Sequence, residues 1–490
     1  MMRPLPVLAG ALALATAAVA ATPIPTDPNA EPVPEYVGAP ATPRRAKAPA
    51  VPRHPFMAPN GRSNIHDDGY QTDTYVGGGP LGRSPEVLST LQSAECASLV
   101  FDSLGRIVTI CVGVEGPTLV MMDPATLDQL ASFPLPPRSG GGGGNPLSDF
   151  SGGGYFYLDD QDRAVIPTNS HQIWVVGETT SPAGPGFTLV RTYDLTTVVA
   201  ANEGIISSLP DWSGLLWVVS VNGLVGTIDP VSGTVESMRL AGEAIGNSFA
   251  VDETGGVFIV SDHAMYRFDA GAMHEPVVTW RAEYDRGTRL KPGQTNFGSG
   301  TTPTLMGKRW VAITDNADPQ MHVVVYWRAA SIRRPRFLCA VPVFAPDASA
   351  TENSLIGTGR SLLVENNYGY SGLMAVMNGA ATEPGITRVD VRSSGRCRPR
   401  WTSSERVPST VSKMSLAAGI MYAYTKDPGP GSTDAWYLTA VSFKTGLTLW
   451  KRLVGTGFGY NNNYAPVSLG PDGTAYVGVL GGLTLVRDTQ

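Results

Sequence analysis

Residues 440–455 set the pattern for most of the chain. Apolar and polar side chains alternate up to a turn at Lys444-Thr445-Gly446, then alternate again through Trp450 to Gly455. Two alternating runs about a tight turn read as a β-hairpin. Similar runs recur about turns at 102–106, 159–163, 211–215, 252–256, 305–309, 357–360, 417–420 and 470–474. Several of these turns place Gly where a positive φ is needed to close the hairpin. They return at intervals of roughly 40–60 residues, the length of a four-stranded unit. A second turn joins the outer pair of strands in several units, at Asp123-Pro124, at Asp229-Pro230, at 390–395 and at 444–446.

Eight such units predict an all-β chain folded as a single closed β-propeller of eight four-stranded blades. An open two-sheet sandwich fits less well, because eight like hairpins do not divide into two facing sheets. After the last inner turn only two more strands fit before the C-terminus, so the eighth blade lacks its outermost strand. A strand from the N-terminal side is expected to supply it, with 72–76 as the candidate. Closing the ring in this way removes exposed sheet edges.

Composition supports this picture. With 56 Gly, 40 Pro and only 16% charged residues, the chain suits tight turns better than long amphipathic helices. The net charge of −6 argues against a nucleic-acid partner. The basic stretches at 333–336 and 396–400 are broken by Pro or Cys. No G-x-S-x-G, H-E-x-x-H, phosphate-cradling loop or EF-hand pattern is present. The glycine run at 140–144 leads into Asn145-Pro146 and reads as an inter-blade loop.

Residues 1–20 read as a secretory signal peptide, with Arg3 ahead of a short apolar stretch and small residues Ala18 and Ala20 before the expected cut. No later segment is apolar enough to span a bilayer, so the expected location is secreted or periplasmic. Residues 21–56, rich in Pro and Ala, are expected to form a disordered linker, leaving 57–490 as the propeller. Four cysteines in an exported chain suggest two disulfides. Cys96 and Cys111 flank the 102–106 turn almost symmetrically and are expected to pair across one hairpin. Cys339 and Cys397 remain, both on expected outer strands of consecutive blades. A monomer is expected.

Ala440, Thr445, Gly446, Trp450 and Gly455 together carry a family resemblance. The repeat they form resembles that of the quinoprotein (PQQ-dependent) dehydrogenase-like β-propellers. The resemblance implies eight blades, a Trp packed between neighbouring blades, and PQQ-dependent dehydrogenation. Such an enzyme is expected to carry adjacent cysteines over its cofactor. This chain has no Cys-Cys pair, so PQQ is not expected.

Propeller topology itself places candidate chemistry. Starts of the innermost strands and ends of the second strands surround one mouth of the central channel. The starts contribute Asn247, Ser299, Thr301, Thr302, Glu352, Asn353, Lys413, Asn462 and Asn463. The ends contribute His171, Asp262, His263, Asp315, Asn316, Glu365, Asn366, Asn367 and Tyr368. Strands this close to an axis are apolar where they only pack, so the enrichment points to a binding mouth. The expected function is to hold a polar, carbohydrate-like small molecule without turnover. Asp315, Glu352, Glu365 and Asn366 offer oxygen ligands suited to Ca²⁺, and His171 and His263 are candidate general bases. A calcium-assisted hydrolase, lactonase or lyase is the alternative that they would serve. His54, His66, His274 and His322 are expected at the surface or in loops, and His66-Asp67-Asp68 in a solvated turn.

Overall fold

The structure is a computed structural model that describes residues 19–137, 153–392 and 394–490. Eight antiparallel sheets follow one another along the chain, centred on 94–134, 157–194, 205–239, 250–283, 304–342, 356–403, 413–456 and 467–488. They are numbered here as blades 1 to 8. Each has four strands running from the axis to the rim in chain order, except that blade 8 borrows its outermost strand and blade 7 gains two extra. The fold is an eight-bladed β-propeller. All eight inner turns fall between the first and second strands of successive blades.

The turns have a local cause. Asp102 Oδ1 accepts the amides of Leu104 and Arg106 at 2.9 and 2.8 Å. Asp159, Asp211 and Asp252 repeat this pairing two and four residues on. A short carboxylate thus satisfies the amides that a tight turn leaves open. Gly105 and Gly214 adopt φ of 80° and 93°, the left-handed conformation that closes the loop. Both expected disulfides are present. Cys96–Cys111 lies across the inner hairpin of blade 1, and Cys339–Cys397 staples the outer strands of blades 5 and 6. Trp450 is fully buried on the fourth strand of blade 7, against Tyr36 and Tyr422.

The ring closes at a different place from the one expected. Pro85–Leu91, not 72–76, completes blade 8, pairing antiparallel with Gly482–Asp488. The Asp488 carboxylate fixes its approach by accepting the amides of Leu81, Gly82 and Arg83 at 2.7–3.0 Å. Thr74–Tyr75 lies at the axis instead, parallel to Met414–Ser415 on the innermost strand of blade 7. The glycines and proline at 77–80 then carry the chain from axis to rim.

Residues 21–56 are not a disordered linker. They form an extended strap with buried anchors at Ile24, Ala41 and Ala46. Tyr36–Gly38 adds a strand outside blade 7, opposite Trp450 to Arg452. Ala41, Arg44 and Ala46 donate backbone hydrogen bonds to Leu81, Ala418 and Leu416. A Pro- and Ala-rich stretch docks in this way because a sheet edge asks only for backbone groups and small side chains. The leader assigned to 1–20 lies almost wholly outside the described residues, as does the glycine run at 140–144. Among the described residues no helix is long and apolar enough to cross a membrane. The two disulfides are compatible with an extracellular location.

Residues 57–76 enter the ring and plug its axis. Leu158 of blade 2 exchanges backbone hydrogen bonds with Ala58 and Ser63. The carbonyls of Gly69, Tyr70, Thr72, Asp73 and Tyr75 accept amides from Val251, Leu305, Gly357, Met414 and Leu416, on blades 4 to 7. Carbonyls alternate sides in an extended strand, so consecutive outward carbonyls need interruptions. Gln71 and Asp73 supply them with φ of 56° each. The plug therefore satisfies inner-edge amides that would otherwise face an empty channel.

Candidate functional site

The plug carries charge into the core. His66, Asp67, Asp68 and Asp73 are all at most 2% exposed, so His66 keeps its expected loop position but is not at the surface, and the turn at His66-Asp67-Asp68 is not solvated. His54 is buried too, under Trp212. The threading of the segment, rather than its composition, decides this burial. Lys413 Nζ, also buried, donates to Asp73 and to the Ile65 carbonyl and lies 3.5 Å from Asp67 Oδ2. His66 Nδ1 sits 2.9 Å from Asp73 Oδ1. Burial pushes Asp73 up, but Lys413 and His66 outweigh it and hold the carboxyl below its usual range. Burial also lowers His66, which stays neutral and so donates from Nδ1. Asp67 is pushed well above the ordinary range by burial, against the pull of Lys413. Asp68 is raised to about 7 by burial, opposed by hydrogen bonds from Thr72.

On the mouth side of the plug lies an axial cavity of about 40 Å³. Its floor is Ile65 and His66, and its walls include Tyr155, Asn247, Glu352 and Tyr464. Glu352 comes from the approach to the innermost strand of blade 6 and is 8% exposed. Its Oε1 accepts from the Thr295 hydroxyl, and its Oε2 has no hydrogen-bond partner. Burial raises it to about 7, with only neutral hydrogen-bonding groups at Thr295 and Asn296 opposing. Burial, then this carboxylate, pushes the Tyr155 phenol above its usual range, and Tyr464 likewise.

Outside the cavity a groove of about 450 Å³ crosses the mouth. Its walls are the long connection between blades 4 and 5, which brings Lys291, Gln294 and Thr295, and the insertion between the second and third strands of blade 6, which brings Tyr370. Asn463 and Tyr464, between blades 7 and 8, line both groove and cavity. Tyr464 meets Tyr370 edge-on at 5.4 Å between ring centroids.

The structure separates the sequence-predicted residues into groups. Asn247, Glu352 and Asn463 line the axial cavity. Asn353 and Glu365 are bonded to each other at 2.6 Å, and Glu365 also accepts the Ser412 amide; burial raises it to about 7. Lys413 belongs to the plug cluster. Thr301 accepts the Thr314 amide at 3.0 Å, and Thr302 is buried beside it. Asn316, Asn366, Asn367 and Asn462 spend their amides on loop carbonyls. Tyr368 is half-buried and donates its amide to Asn366. His263 is held between Asp262 at 2.8 Å and Arg286 at 2.7 Å, so its accepting nitrogen is already engaged. His171 sits in a left-handed turn at φ 56°. Neither histidine lines the cavity or the groove.

The four calcium candidates do not fit one ion. Asp315 is taken by the amide and ring of His322 at 2.6 and 2.9 Å, and Asn366 and Glu365 by the partners above. Only Glu352 keeps an open oxygen. His322 is accordingly tied to a carboxylate rather than free in a loop. Among the described residues no cluster of three His, Cys, Asp or Glu could hold a metal. Sequence reading missed Thr295, Tyr155 and Tyr464. The Asn461–Asn463 run beside Tyr464 was the available signal.

No known family model matches the sequence. A protein of Archaeoglobus fulgidus, described as uncharacterized, is 29% identical over 322 residues. The match covers 58% of this chain and 61% of that protein, so the chain spans less than two thirds of its relative's length. Among solved structures, dihydro-heme d1 dehydrogenase NirN is similar at a TM-score of 0.47 and 10% identity, over 77% of this chain and 69% of that one. Streptogramin B lyase is similar at 0.41 and 9%, over 82% and 97%. At these scores neither likeness bears on the chemistry of the channel.

Proposed function

We propose that this propeller binds a polar, carbohydrate-like small molecule in the mouth groove and does not transform it. The groove carries the reading. It is lined by Tyr464, Gln294 and Thr295 beside the buried Tyr370 ring and the buried Lys291 ammonium, which is held by the Ala317 carbonyl, an aromatic and polar mixture suited to hydroxylated ligands. The two candidate general bases stand away from it, and the plug closes the channel behind. The test is calorimetric titration with a panel of neutral oligosaccharides, followed by mass spectrometry of the recovered ligand. Binding that is weakened roughly ten-fold or more by Tyr464→Ala, with the ligand recovered intact, supports the reading. Absence of binding across the panel, or recovery of a cleaved or oxidised product, overturns it.

A further inference from the structure

The axial cavity poses a problem of charge. Glu352 is buried, its Oε2 lacks a partner, and no basic side chain is among the groups acting on it. A buried carboxylate is normally paired or hydrogen-bonded at both oxygens. Lys413, which donates to the Ile65 carbonyl of the cavity floor, is committed to Asp67 and Asp73, and the Lys291 ammonium in the groove wall is held by the Ala317 carbonyl. Neutral oxygens accompany Glu352 in the cavity. Asn247 Oδ1 receives only a long contact from the Tyr155 hydroxyl at 3.4 Å, and Ser354 Oγ lies 3.4 Å from His66 Nε2. The aromatic side chains of Tyr155 and Tyr464 stand beside them.

We infer that this cavity seats a primary ammonium group, carried by a hydroxylated amine such as an amino sugar whose body lies in the groove. The inference rests on the groove being the ligand site. An ammonium brings three donors and one positive charge in a compact head. Glu352 Oε2, Asn247 Oδ1 and Ser354 Oγ offer acceptors, and the tyrosines offer ring faces that attract a cation. A volume of about 40 Å³ has room for one such head. Continuity with the groove is direct, because Thr295 both lines the groove and bonds Glu352, and Asn463 and Tyr464 line both spaces. Burial holds a proton on Glu352 up to about pH 7, and an arriving ammonium takes the place of that proton.

The experiment compares two probes that differ at the amine. The glucosamine tetramer and its fully N-acetylated counterpart are titrated calorimetrically into the full chain at 0.15 M salt, with Ca²⁺ alone as a third arm. The glucosamine tetramer is expected to bind roughly ten-fold or more tightly than the acetylated one, and Glu352→Gln is expected to bring the two within about two-fold. A circular dichroism spectrum and melting curve establish that the variant is folded, and the wild-type comparison stands without it. Equal affinity of the two probes for the wild-type chain overturns the ammonium assignment and leaves the groove reading intact. Preference for the charged probe that survives in folded Glu352→Gln moves the amine elsewhere and overturns it as well. Ca²⁺ binding that Glu352→Gln abolishes, with no preference between tetramers, assigns the carboxylate to a metal instead. Failure of both tetramers together with the neutral panel sinks the groove and the cavity alike.

Discussion

Lys413 is a fully buried cation neutralised by Asp73, which lies 340 positions away in the sequence. Burial lowers the lysine, but Asp67 and Asp73 outweigh it and hold the charge in place. Taking one member of such a pair away leaves the other as an uncompensated charge without water. Lys413→Met is therefore expected to cost about 3–5 kcal/mol in urea unfolding, and Lys413→Met with Asp73→Asn to recover a large part of it. A loss under about 1 kcal/mol for the single variant would show that water reaches the cluster. At this scale the sequence was half legible. Propeller geometry pointed Lys413 to the axis. Nothing local to Asp67, Asp68 or Asp73 distinguishes a buried acid from a solvated one, because burial comes from where the segment is threaded.

Elements were legible in proportion to how local their causes are. The first four inner turns are each written in five residues, since the aspartate that caps the turn and the residue that takes positive φ are neighbours. The closing strand and the plug have no such signature. Pro85–Leu91 and 72–76 both show short alternation, and only pairing with Gly482–Asp488 separates rim from axis. The strap and the plug are separable in experiment. A chain beginning at residue 57 loses the strap but keeps the acceptors for Val251, Leu305, Gly357 and Met414. One beginning at residue 80 loses both. Each buried amide left without an acceptor costs about 1–3 kcal/mol. The second truncation is expected to melt well below the first and over a broader range, as read by circular dichroism. Coincident melting curves would show that water replaces the plug at no cost.

For the whole molecule, buried acids set how stability varies with pH. Asp68, Glu352 and Glu365 titrate near 7 in the folded chain, against ordinary values of 3.8 for Asp and 4.5 for Glu. A folded state that holds more protons than the unfolded one loses stability as pH rises through the folded values. His54 and His66 act in the opposite sense. Burial keeps them neutral while the unfolded chain protonates them near 6.5, so their effect lies below that pH. Between pH 6.5 and 8 the acids are unopposed by the histidines. The melting temperature is expected to fall across that interval and to fall less in the Glu352→Gln, Glu365→Gln double variant. A flat or rising curve for the wild-type chain would show that these carboxyls are already ionised at pH 6.5. The sequence showed which face of the ring is polar. It could not show which polar groups are spent on one another, because Asp315 with His322 and Asn353 with Glu365 become pairs only across strands.

The way the ring closes also fixes when it can form. Pro85–Leu91 is made early, yet its partner Gly482–Asp488 is the last strand of the chain, and the plug waits for Met414 and Leu416. Ring closure is therefore a late event in synthesis. Until then Tyr36–Gly38 and Pro85–Leu91 have no partner strand, and the first blade lacks the eighth as its neighbour. Contacts of such long sequence separation make for slow folding. The strand that seals the finished ring is thus made early and stays unpaired until the last strand of the chain arrives.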